Sequence, residues 1–412
     1  MTKVETRTQA QTPTLPAFAL FAAMIAAAGL PLYIHAPKFY VDEYGVSLAA
    51  LGTVLFGLRM LDFVQDPLLG KMASVWRAKR GLTVAIAAVT MAAAMLGLFS
   101  VTPATAPLLW FAVMLTLVFS SFSYLTICFY AEGVSTAGRI EGQGHIKLAR
   151  WRETGALLGI CAASVAPIVI GGYSGFAFAF ALLTVVALWA MRREWVGHDI
   201  QSSTGFMGVL SDPVARRLLM VALFNAAPVA VSSTLFLFFV ESRLDAPGWE
   251  GPFLLLFFLS AALAAPFWSR LAERAGERRV LLIAMVLAIV AFGFAVTLGA
   301  GDTWAFGLIC VASGAALGAD MTLLPALFAR RMEAVSPGAS EGFGLWSFVS
   351  KFTLALAAVT LLPLLESGGF RAGEANSEDA LRLLSLLYGA LPCVLKLLAI
   401  ALLVSINLED KE

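Results

Sequence analysis

The sequence is poor in charge. Asp, Glu, Lys and Arg make up 13% of its 412 residues, about half the share of an ordinary soluble domain. That scarcity excludes a soluble globular enzyme and a solvated, disordered scaffold. The net charge is +1, so no bulk field draws nucleic acid to the chain. There are only three histidines, His35, His145 and His198, on separate segments in or near loops. No HExxH, CxxC, P-loop or GxSxG-type motif is present, so neither catalysis nor a resident cofactor is expected. The four cysteines, Cys128, Cys161, Cys310 and Cys393, lie inside apolar stretches. They read as buried thiols rather than disulfides or metal ligands. Thr2 to Thr14 is polar and lacks the apolar core of a signal peptide, so none is expected and the first helix itself is the targeting element.

What the chain has is apolar surface. Hydrophobic residues make up 60%, and the mean hydropathy is +0.85. Apolar runs recur at about 16–37, 47–70, 82–101, 105–131, 149–170, 174–191, 215–240, 251–270, 280–299, 304–329, 343–365 and 382–407. Each is long enough, at about 20 residues, to cross a bilayer as a helix. The alternating pattern of a membrane barrel is missing, which leaves an all-α membrane protein of twelve transmembrane helices.

The basic residues predict orientation. Of 28 Lys and Arg, three fall inside spans (Arg59, Lys351, Lys396) and four on one side (Lys38, Arg243, Arg371, Arg382). The other twenty-one lie in the termini and alternate loops. The positive-inside rule then puts both termini in the cytoplasm, in a multi-pass plasma (inner) membrane protein. The longest polar segment between spans, 192–214, divides the chain into six spans at 1–191 and six at 215–412. A basic landmark follows the second helix of each half, and Arg80 and Arg279 are 199 residues apart. This predicts two pseudo-symmetric six-helix bundles with a substrate site between them.

A charge within a span costs about 2.5–3.5 kcal/mol on insertion scales, so the few present are informative. In Arg59-Met60-Leu61-Asp62-Phe63-Val64-Gln65-Asp66-Pro67, Asp62 and Asp66 are four apart and share a helical face with Arg59. Two carboxylates in low dielectric repel, so the pair calls for Na⁺, H⁺ or a basic side chain. Oxygen ligands suit Na⁺. Two readings stay open here: a cation site, or an ion pair with Arg59 or Lys351 that only joins helices. Lys351 lies about eight residues, or ~12 Å, from the nearer end of its span, too deep to snorkel, and should face a cavity or an acid. Lys396 is expected to snorkel from a lipid-facing position. Ser123, Thr126 and Tyr130 share a face of the fourth span, suited to a cation's oxygen shell, a polyol, or interhelical hydrogen bonds. Arg152 opens the fifth span beside Glu153. Asn225 and Asp320 are candidate substrate contacts or satisfied polar groups between helices.

Arg59, Asp62, Asp66-Pro67 and Gly70, with Lys351 on the eleventh span, resemble the glycoside–pentoside–hexuronide:cation symporters of the major facilitator superfamily. The likeness starts at Phe39-Tyr40-Val41-Asp42 and resumes at Arg152 and Trp346–Lys351. By that resemblance Asp62, Asp66 and Ser123 hold the cation, and Lys351 and Arg59 are their charge partners. The sugar side departs: the acids that grip a melibiose-like sugar fall at Ala26 and Thr126, and the nearby tryptophan at Tyr130. The candidate substrate residues are therefore Thr126, Tyr130, Arg152, Asn225, Asp320 and Trp346, for a substrate other than a melibiose-like sugar. The expected function is Na⁺- or H⁺-coupled symport of a small organic solute, a sugar or sugar derivative. The alternatives are H⁺-coupled export of amphiphilic metabolites or drugs, and passive uniport. The expected partners are this solute, the cation and the bilayer; oligomeric state is left open.

Overall fold

The computed structural model describes residues 14–195, 205–335, 339–371 and 375–406. They form twelve helical spans. Span 1 runs Leu15–Ala27 and Leu30–Tyr44, span 2 Leu48–Val75, span 3 Arg80–Phe99, span 4 Pro107–Ala137, span 5 Gly144–Val169 and span 6 Gly172–Met191. Span 7 runs Pro213–Phe238, with a π turn Phe239–Arg243. Span 8 is Glu250–Ala275, span 9 Glu277–Ala295, span 10 Thr303–Val335 and span 11 Ser340–Ser367. Span 12 is Glu378–Ser385, a π turn Leu386–Ala390, and Leu391–Ser405. A short helix, Gly205–Ser211, lies in the central linker.

Nine of these are long and apolar enough to cross a membrane by composition alone. The remaining three are span 1, which is broken, and spans 2 and 5, which carry clustered charges. The sequence pattern predicts one helix over 16–37. The chain instead leaves helical geometry at Gly29, with φ −88° and ψ −116°, and a proline opens the next segment. A proline has no N–H to continue the ladder, so the helix restarts there. Spans 4 and 10 run past their apolar stretches to Ala137 and Val335.

Small residues let helices approach within each half. A Cβ added to Gly155 or Gly159 on span 5 would lie 2.1 Å and 2.4 Å from the carbonyl oxygens of Ala19 and Ala23 on span 1. On span 10, Gly314 and Gly318 meet the carbonyls of Phe257 and Ala261 on span 8 in the same way, at 2.2 Å and 2.5 Å. In a bilayer, where apolar burial between helices gains little, this close van der Waals packing holds helices together. One buried apolar cluster is drawn wholly from residues 17–191 and another from 230–388. A third joins Ala131, Val134 and Ile146 to residues 209–406, across the two groups of six.

The halves meet along two seams. On the first, Gly70 of span 2 packs on Ser340 and Gly344 of span 11. On the second, Leu157 of span 5 packs with Ala261 and Ala265 of span 8. Polar bridges reinforce them on the side of the basic loops. Arg80 donates to Ser340 at 3.1 Å and pairs with Glu132 at 3.1 Å. His145 reaches Glu333 at 2.8 Å, and Arg150 reaches Glu273 at 3.4 Å. The Tyr130 ring meets Phe343 of span 11 at 5.1 Å. The molecule is closed on the basic-loop side.

Within the C-terminal group, Asp212 caps span 7 by accepting from the Ala215 N–H at 2.6 Å, and Arg331 grips its carboxylate at 2.6 Å and 3.0 Å. Hydrogen bonding from Arg331 holds the Asp212 carboxyl below the usual carboxylate range. A depressed carboxyl adds stability above its unfolded pKa of about 3.9, and loses it as pH falls through the folded value. Asp212→Ala should therefore lower the melting temperature at pH 7 and make less difference below about pH 3, measured in detergent. A deficit that does not shrink with acid would contradict this. Gly159→Leu should destabilise by about 1–3 kcal/mol through overpacking; a wild-type melting temperature would show that the span 1 contact is dispensable.

Candidate functional site

Spans 2, 4 and 11 bring the predicted acids, hydroxyl and lysine to one place. Helical spacing stacks Asp62 and Asp66 on one face of span 2. The face is buried, with Asp62 2% exposed, Asp66 0% and Ser123 0%. Lys351 reaches in from span 11. Its Nζ lies 3.1 Å from Asp62 Oδ1, 3.0 Å from Asp66 Oδ1 and 2.6 Å from Ser123 Oγ. An ammonium has three N–H donors, and these three oxygens match them. The nitrogen is therefore the centre of an oxygen cluster drawn from spans 2 and 4 of the first half, while its stem belongs to the second half.

Three residues not predicted by the sequence complete the cluster. Ser347 donates to Asp66 Oδ2 at 2.7 Å. It lies one turn before Lys351 on the same face, a spacing visible in the sequence. Gln65 donates to Asp62 Oδ1 at 2.8 Å and accepts from Ser120 at 2.9 Å. The acids are thus oriented by hydrogen bonds as well as by charge. Removing two carboxylates from water is offset only where the geometry and remaining hydrogen bonds are good, and here both conditions hold. Arg59 lies on span 2, but its side chain falls outside the described residues.

The other candidates lie elsewhere. Thr126, one turn from Ser123, donates to the Phe122 carbonyl of its own helix at 2.7 Å. Tyr130, Arg152 and Glu153 form a separate group, in which Arg152 and Glu153 are buried. Arg152 Nε and Tyr130 OH both donate to Glu153 Oε1, at 2.7 Å and 2.8 Å. The Arg152 guanidinium lies 3.7 Å from the Tyr130 ring centroid, a cation–π contact. Trp346 packs on Phe328 of span 10 at 4.9 Å.

Asn225 and Asp320 lie inside the C-terminal group, and they overturn the expectation for Lys396. That lysine does not face lipid. It is 3% exposed, forms an ion pair with Asp320 and donates to Asn225 Oδ1 at 2.7 Å. Spans 7, 10 and 12 converge there, and a carboxylate desolvated opposite the ammonium makes an inward position favourable. Snorkelling is the better course only for a lysine with no such partner.

The comparisons with known proteins follow this architecture. Residues 16–410 match the family described as MFS/sugar transport protein, and the chain belongs to that family. It is a multi-pass membrane transporter with the major facilitator fold. No curated protein matches it. Among solved structures, a bacterial homologue of the iron transporter ferroportin, in an outward-facing state, is similar with a TM-score of 0.70 and 15% identity, over 95% of this chain and 99% of that one. The Escherichia coli fucose:proton symporter has a TM-score of 0.64 and 13% identity, over 93% and 98%. The human organic anion transporter has 0.64 and 15%, over 94% and 98%. At these identities the likeness is one of fold, and it does not single out the glycoside–pentoside–hexuronide branch.

The ion-paired cluster generates a stability prediction. Lys351→Met strands two buried carboxylates, at a cost of about 3–5 kcal/mol, and should lower the melting temperature in choline chloride. Adding Asp66→Asn should recover part of that loss, because it removes one stranded charge. Additive losses in the double variant would show that Lys351 does not stabilise Asp66.

Proposed function

We propose that this member of the MFS/sugar transport protein family is a cation-coupled symporter of a small organic solute, a sugar or sugar derivative. One observation carries the reading. The Lys351 nitrogen occupies the centre of an oxygen cluster, formed by Asp62, Asp66 and Ser123, that a small cation would also suit. Lysine is in this view a placeholder for the coupling ion. Na⁺ takes carboxylate and hydroxyl oxygens readily, and a proton neutralises a carboxylate outright.

The proposed cycle follows from which half supplies which group. Lys351 tethers span 11 to spans 2 and 4 while the basic-loop side is closed. With the basic loops in the cytoplasm, this is the outward-facing carrier, with both termini cytoplasmic. The division at 1–191, 192–214 and 215–412 supplies the two bodies that rock. Na⁺ or H⁺ entering from outside satisfies Asp62 and Asp66 and releases the ammonium. Span 11 is then free to move against span 2, and solute binds between the halves. Thr126, Trp346 and the Tyr130–Arg152 pair border the closed end of that path. A carrier holding solute but no cation is kept from crossing, because moving span 11 away would leave the carboxylates buried without a counter-charge, whereas the empty carrier returns with Lys351 back on Asp62 and Asp66. Linkage is reciprocal: the cation raises solute affinity by the same factor as solute raises cation affinity.

The rival reading, proton-coupled export of amphiphiles, uses the same acids with the opposite direction of solute flow. Passive uniport leaves them structural. Proteoliposomes separate the three. Under an imposed inward Na⁺ or proton gradient, the purified carrier should accumulate a member of a panel of pentoses, hexoses and sugar acids. Asp62→Asn should abolish accumulation while leaving solute exchange at equal concentrations. Full gradient-driven accumulation in Asp62→Asn would overturn the coupling role. Expulsion of a fluorescent amphiphile driven by protons and indifferent to Na⁺ would favour export.

A further inference from the structure

The C-terminal half holds two abutting, partly open cavities among spans 7, 8, 9, 10 and 12. The larger has a volume of about 340 Å³, within the range of small-molecule sites, about 300–1,000 Å³. Phe236, Phe257, Phe292, Phe306 and Tyr388 dominate its wall, and Glu250 is the one charged residue there. Tyr388 belongs to the π turn of span 12 and stacks at 4.1 Å on Phe239, in the π turn of span 7. Such turns break the regular ladder and recur where helices are shaped around a site.

The smaller cavity is about 30 Å³, more than the roughly 10–15 Å³ that one water needs. It has Val229, Ser232, Phe257, Phe292 and Ser313 in common with the larger one. Asp320 and Lys396 line it as well. Asp320 is 7% exposed. One of its oxygens takes the Lys396 ammonium, and the other, Oδ1, has no hydrogen-bond partner among the described residues. A buried acceptor left unpaired carries a penalty that a ligand N–H removes. The charged groups lining the two cavities are Glu250, Asp320 and Lys396, two acids against one base.

We propose that this half of the protein binds a lipophilic amine, with its ammonium head in the small cavity donating to Asp320 Oδ1 and its apolar body among the phenylalanines of the large one. Size and charge each select this class. The small cavity suits a small polar head, such as a primary or methylated ammonium. The large one offers aromatic surface and little to hydrogen-bond, which suits a hydrocarbon body and disfavours a sugar. A carboxylate head would pass Glu250 and meet Asp320, and the Lys396 ammonium that could receive it is already held by Asp320 and Asn225. The site has no lining residue in common with the Asp62–Lys351 cluster and lies inside one half, so it stands whether or not the symport reading holds. An amine seated there braces spans 7, 10 and 12 against one another.

The test is equilibrium binding of nortriptyline, a tricyclic secondary amine, to the full chain in nanodiscs, with empty discs subtracted for partition into lipid. The expected result is saturable binding, with the nitrogen-free hydrocarbon and a carboxylate analogue each weaker by about tenfold or more. Asp320→Asn/Lys396→Met removes both charges together and so avoids stranding either. It should weaken the amine by about tenfold or more, and Ser232→Leu, which fills the junction of the cavities, should do the same. Asp62→Asn should bind it as the wild type does. Binding no greater than to empty discs would overturn the proposal. So would equal affinity for the hydrocarbon or the carboxylate, or wild-type affinity in the double variant. Loss of binding in Asp62→Asn alone would place the amine between the halves and overturn it equally.

Discussion

Two carboxylates on one face of a membrane helix cannot stay ionised without a positive charge beside them. That constraint organises the centre of this transporter. Asp62 and Asp66 belong to span 2, and the ammonium that satisfies them comes from span 11, 285 residues further along the chain from Asp66. The electrostatic need of one half is met by the other. Any cation that replaces Lys351 therefore changes how the halves are joined, as well as the local charge. In the proposed cycle, coupling between ion and conformation needs no longer path than this one contact.

The surrounding fold makes that contact informative. Helices inside each half are locked by glycine and alanine seams, such as Gly155 and Gly159 against span 1, where backbone meets backbone. Such packing is bistable at best and resists gradual deformation. Between the halves, by contrast, the described contacts concentrate at the basic-loop end and along spans 2, 5, 8 and 11. Many of them are hydrogen bonds or ion pairs, including Arg80 with Ser340 and His145 with Glu333. Polar bridges exchange for water with little net loss. Within each half the helices are held by shape, and between the halves apolar seams are joined by polar groups that can be re-paired.

Much of this was legible in the sequence. The run lengths predicted twelve spans, and the i, i+4 spacing of Asp62 and Asp66 put them on one face. The depth of Lys351 in its span implied an acid or a cavity as its neighbour. Lys396 shows where such reasoning ends. The same scarcity of charge surrounds it, but its partners, Asn225 and Asp320, are 171 and 76 residues away. Only tertiary packing reveals that they face it, so a local rule about snorkelling chose the wrong side of the helix. Gln65 and Ser120 were silent for a related reason. Amides and hydroxyls in membrane helices are common, and only their distances to Asp62 and to each other distinguish these. The break in span 1 is the reverse case, since glycine followed closely by proline announces a stop that apolar run length alone overlooks.

The central claim is that Lys351 and the coupling ion compete for one set of oxygens. Its most direct test is equilibrium Na⁺ binding, with proton uptake measured in parallel, for the purified wild type and Lys351→Met. The account predicts that the coupling ion binds the variant more tightly, by about tenfold or more, equivalent to about 1.4 kcal/mol, because the resident ammonium no longer opposes it. Equal affinity in the two proteins, or binding lost with the lysine, would contradict the account and leave the cluster a structural tie between spans 2, 4 and 11.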